Sequence, residues 1–84
     1  MRAIKDEKLK RSIVSTVSRI LAKNEKCIND GTIFKTKKYR VLFLSKDGPR
    51  AYDFEVTDLQ TKNKYSVTGF EDWIGEKVSW SVYQ

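Results

Sequence analysis

Tyr39-Arg40-Val41-Leu42-Phe43-Leu44-Ser45 and, five residues on, Ala51-Tyr52-Asp53-Phe54-Glu55-Val56-Thr57 are the stretches that decide the fold. In the second, Tyr52, Phe54 and Val56 alternate with Asp53, Glu55 and Thr57. That is the period-two pattern of a strand with one buried face and one in water. In the first, Tyr39, Val41 and Phe43 point one way and Arg40, Leu42 and Leu44 the other. Apolar residues on both faces predict a central strand with cover on both sides, one cover being a helix. Lys46-Asp47-Gly48-Pro49-Arg50 between them has turn chemistry, so the pair reads as a hairpin.

Working toward the C-terminus, Gln60-Thr61-Lys62-Asn63 makes a second turn. It leads into a strand over 64–68 with Tyr65 and Val67 inward. Thr68-Gly69-Phe70-Glu71 has the spacing of a capping box, and Phe70, Trp73 and Ile74 follow at i, i+3, i+4. This predicts one helical turn closed by Gly75. A last strand over 77–83 places Val78, Trp80 and Val82 on one side, which makes Trp80 a core residue.

Toward the N-terminus, Asn29-Asp30-Gly31 is a turn, and 32–36 is a short strand. Before it, residues 5–24 read as one amphipathic helix. At about 100° per residue, Leu9, Ile13, Val14, Val17, Ile20 and Leu21 share one side. Lys8, Arg11, Ser15, Arg19 and Lys23 occupy the other. Lys10 intrudes into the apolar arc, so either the first turn frays or its stem snorkels. The expected architecture is α+β: an N-terminal amphipathic helix packed on a four- to five-stranded antiparallel sheet or small barrel, in a single domain spanning 1–84.

Absences narrow the function. The 84 residues contain no histidine and one cysteine, Cys27. The commonest general base and metal ligand are therefore missing, and a zinc site is excluded. The four glycines are scattered and build no phosphate-cradling loop. Asp53 and Glu55 share one face of a clean alternating strand, which reads as a solvated face rather than a carboxylate pair for acid–base work. No catalytic residue, cofactor or metal is expected, and the chain is read as a binding protein rather than an enzyme. The longest apolar run, Val41–Leu44, is too short to span a bilayer. The N-terminus meets charge at once and lacks an apolar core segment, so a cytoplasmic location without membrane association is expected.

Charge is the strongest positive signal. Residues 1–40 hold twelve Lys/Arg and four Asp/Glu, net +8, whereas 41–84 hold five and seven, net −2. Within the basic half, Lys35-Thr36-Lys37-Lys38-Tyr39-Arg40 packs four cations and an aromatic into six residues. Cations at this density can meet successive phosphates while a tyrosine stacks on a base. The candidate nucleic-acid-binding residues are therefore Lys8, Arg11, Arg19, Lys23, Lys35, Lys37, Lys38, Tyr39 and Arg40. If the helix face and the basic strand lie side by side, they form one positive groove. The bland reading is that these lysines solvate the surface and guard a strand edge.

No second helix follows the first after a short turn, and no ribonucleoprotein signature is present. RNA or single-stranded DNA, held by backbone charge and stacking, is the first expected partner. The alternative is a regulator or inhibitor, of the kind phages and mobile elements encode, docking on an acidic protein. Trp73, in an acidic turn, and Tyr83, near the C-terminus, are the candidate partner-binding residues. Tyr83 also suits a contact between copies in a homo-oligomer.

Overall fold

In the computed structural model, described for residues 2–24, 29–46, 51–71 and 78–84, one helix covers one face of a five-stranded antiparallel sheet. The elements are α1 (Glu7–Lys23), β1 (Ile33–Lys35), β2 (Tyr39–Lys46), β3 (Ala51–Asp58), β4 (Lys64–Glu71) and β5 (Val78–Tyr83). The strands lie in chain order as an open meander. The expected α+β class and antiparallel sheet are present. The barrel alternative is not, because β1 and β5 are opposite edges of the sheet.

Helix α1 starts later than the periodicity suggested because Asp6 caps it. The Asp6 carboxylate accepts from the amides of Lys8 and Leu9 at 3.1 and 3.2 Å, so Asp6 stands before the first turn. At the other end Asn24 donates twice to the Ile20 carbonyl, through its amide at 3.2 Å and its side chain at 2.7 Å. The helix stops there.

The core is the apolar arc of α1 pressed on one face of the sheet. Ile13, Val17 and Leu21 are buried against Val41, Phe43, Phe54, Val56, Val67 and Val82. Phe43 and Phe54 are register partners whose ring centroids lie 5.1 Å apart. Truncating a fully buried ring such as Phe54 to alanine costs about 3–5 kcal/mol. Tyr52 carries its polar end into this layer by donating to Glu71 Oε1 at 2.9 Å.

Two turns need special backbone. Gly31 adopts φ +84° and donates to the Phe43 carbonyl at 2.8 Å, which a side-chain-bearing residue does at a cost. Lys62 sits at φ +66° in the β3–β4 turn, where Asp58 accepts from the amides of Gln60 and Thr61.

Three expectations need correction. Residues 68–71 are not a helical turn: β4 runs to Glu71, with Gly69 opposite Trp80 and Phe70 opposite Ser79. Gly69 is there for the indole, since a Cβ on it would sit 2.6 Å from Trp80 Cζ3. Phe70 is 59% exposed on the outer face. Second, β2 is paired on both edges, but among the described residues it is covered on one face only. Leu44 falls at the irregularity between Phe43 and Ser45 and is 45% exposed, while Leu42 lies between Ile33 and Glu55 in a cross-strand row. Third, Trp80 is half-buried, packed at the margin of the core rather than inside it. The turn read at Trp73, Ile74 and Gly75, together with Cys27 and the 47–50 loop, lies outside the described residues.

Candidate functional site

Sheet edge β1 extends past the cover that α1 provides, and the space between them is a groove of about 990 Å³. The β1–β2 turn forms one wall. Its tightness comes from Thr36, whose amide donates to the Tyr39 carbonyl at 2.8 Å. The Thr36 hydroxyl accepts from the amides of Lys38 and Tyr39 at 3.3 and 3.0 Å. Lys37 and Lys38 are thereby set at the tip, exposed. The opposite wall is the flank of α1 carrying Arg19 and Lys23, near the Asn24 cap.

Four of the expected residues therefore converge on this groove, Arg19, Lys23, Lys37 and Lys38, while Lys35 borders it through β1 but sends its side chain to the outer face by strand alternation. No carboxylate lies among the described residues lining it. The ion pair among the described residues is Lys64 to Glu55 at 3.9 Å, on the outer sheet face. Four cations with no ion pair among the described residues focus a positive potential into one concavity. The floor is apolar, with Ile20 from α1 and the half-buried ring of Phe34 from β1.

Of the remaining expected residues, Tyr39 borders the groove at its inner end, and Lys8, Arg11 and Arg40 lie outside it. Tyr39 is 4% exposed and turned inward under α1, where its hydroxyl donates to Ser12 Oγ at 2.8 Å. It holds the helix to β2 at the inner end of the groove, and its ring is not free to stack on a base. The reason is strand alternation: Tyr39 shares the inward phase of Val41 and Phe43, so its neighbour Arg40 emerges on the outer face in a row with Lys35, Thr57 and Lys64. Lys8 and Arg11 are exposed on α1 outside the groove. Tyr83 is half-buried on the outer face of β5 and bridges to Ala3, and residues 2–4 hydrogen-bond along that strand. The β5 edge is thus capped, while among the described residues nothing pairs with the free edge of β1.

The chain matches no family model, no curated protein and no solved structure.

Phe34 is the residue that sequence reading passed over. The signal was a single aromatic, in phase with the inner face, directly ahead of the Lys37-Lys38 turn. Among the described residues no group of acidic or cysteine side chains is placed to hold a metal ion, and no helix is long and apolar enough to cross a membrane.

Proposed function

We propose that the protein binds single-stranded nucleic acid, RNA or DNA, in the groove between α1 and the β1–β2 turn, and that it does so without catalysis. The observation that carries this reading is the pairing of four cations and no described carboxylate with an apolar, partly aromatic floor. Phosphates meet the Lys37, Lys38, Arg19 and Lys23 side chains while a splayed base rests on Phe34, the combination used by sequence-tolerant single-strand binders. Paired duplex hides its base faces and leaves the floor unused, so single strands are favoured.

A second reading rests on a separate observation, the edge of β1 that no described residue pairs with, beside the cationic walls. An extended acidic peptide adding a strand to that edge would use the same charges. Fluorescence anisotropy with labelled single-stranded RNA, single-stranded DNA, duplex DNA and an acidic peptide separates the two. The proposal expects salt-sensitive binding of the single strands, lost in the Lys37→Glu, Lys38→Glu variant. Binding of the peptide alone, or undiminished oligonucleotide binding by the charge-reversed protein, refutes it.

A further inference from the structure

Ser15, at the rim of the groove, also borders a second cleft of about 420 Å³ on the other flank of α1, lined by Glu7, Lys10, Arg11, Val14 and Trp80. Trp80 is fixed in place by its surroundings. Its six-membered ring lies against the bare backbone of Gly69, and its centroid is 6.2 Å from that of Phe54. The part of the indole not held by these neighbours opens into the cleft. Lys10 belongs here too. It occupies the arc of α1 that otherwise faces the core, and it is half-buried beside the indole rather than spread into solvent.

The strip of α1 between the two clefts is polar and basic, with Lys8, Arg11, Ser15 and Arg19 all exposed. Arg19 Nη2 donates to Ser15 Oγ at 3.4 Å, which places a guanidinium and a hydroxyl together at the crossing point. We propose that the Trp80 cleft is a second base-stacking subsite. A single strand seated in the groove crosses the exposed face of α1 at Ser15 and stacks a further base on Trp80, with Lys10 and Arg11 meeting its phosphates. This rests on the nucleic-acid reading of the groove. It gives Lys8 and Arg11, which the groove leaves out, a place on the path. It also explains why an indole is kept at the margin of the core with a glycine reserved beneath it.

The path has a length. With side chains a helix is about 10–12 Å across, so half its girth is about 16–19 Å, or about five nucleotide steps at the ~3.4 Å per nucleotide of a stacked strand. An oligonucleotide of about three nucleotides fills one site, and one of about ten spans both. Glu7 opposes the phosphates at the far end, so Glu7→Gln strengthens binding of the long strand alone.

The test uses oligothymidylates of these two lengths and reads two signals: anisotropy of a label, and tryptophan emission in a Trp73→Phe protein where Trp80 is the single reporter. Both lengths bind, the longer quenches Trp80 strongly and the shorter does not, and Arg11→Gln weakens the longer at least severalfold while sparing the shorter. Should Trp73→Phe fail to fold, the Arg11→Gln comparison stands by itself, since that side chain is in solvent. Tight binding of the long strand with Trp80 unquenched, or with Arg11→Gln indistinguishable from the parent, overturns the second subsite and leaves the groove reading standing. Absence of binding at either length overturns both.

Discussion

Replacing Lys37 and Lys38 by glutamine removes two of the four groove cations and nothing else that the fold uses. Both side chains are exposed at the turn tip, and the hydrogen bonds that shape the turn come from Thr36 and backbone amides. Stability should therefore change by less than about 0.5 kcal/mol, as for ordinary surface substitutions. Binding should change in a countable way. Each phosphate neutralised on a single strand contributes about −0.7 to the slope of log K against log salt. Four cations in contact give about −2.8, and two give about −1.4. Over a fourfold rise in salt the parent loses about 50-fold in affinity and the variant about 7-fold, a difference that fluorescence anisotropy resolves easily. A circular-dichroism melt of both proteins confirms that the fold is unchanged. If the variant keeps the parent's slope, the phosphates do not pass over the β1–β2 turn and the groove assignment is wrong.

Other substitutions test the supporting structure. Tyr39→Phe removes the hydrogen bond to Ser12 and should cost about 1 kcal/mol in denaturant unfolding, with oligonucleotide affinity unchanged because the ring is buried; a large loss of affinity at intact stability would return Tyr39 to the binding surface. Gly69→Ala drives a methyl into a fixed indole and should destabilise by about 1–3 kcal/mol, read as a lower melting temperature together with a shift in tryptophan emission. An unchanged melt would mean that Trp80 is free to move, which weakens its case as a stacking platform. Lys62→Gly relieves the left-handed backbone at φ +66° and should stabilise by up to about 1 kcal/mol, since the relief of about 1–2 kcal/mol is partly offset by the entropy of glycine. A melting temperature that falls instead would refute that account of the turn.

Much of this architecture was legible because local pattern and tertiary role agree. The arc of Leu9, Ile13, Val14, Val17, Ile20 and Leu21 is the arc that packs, and the alternation in 51–57 is the alternation of burial in β3. The reading failed where a local motif competed with a long-range partner. Thr68-Gly69-Phe70-Glu71 carries a helix-start pattern, yet pairing with β5 and the bulk of Trp80 decide its conformation. Leu42 and Leu44 suggested a second covering layer that is absent among the described residues, because apolar side chains alone do not reveal what lies opposite them. The groove was foreseen as a possibility and its four cations were named. Its floor was not, because nothing in the sequence says that β1 lies beyond the reach of α1. Tyr39 and Arg40 were grouped by adjacency, and alternation sends adjacent strand residues to opposite faces.

The central claim is where the ligand sits, and amide chemical-shift mapping of isotope-labelled protein titrated with a short oligonucleotide tests it most directly. The account predicts that the largest shifts cluster at 33–38 and along 12–24, while Thr57, Lys64 and Ser66 on the outer sheet face stay in place. Shifts centred on that outer face, or none at saturating oligonucleotide, would contradict it.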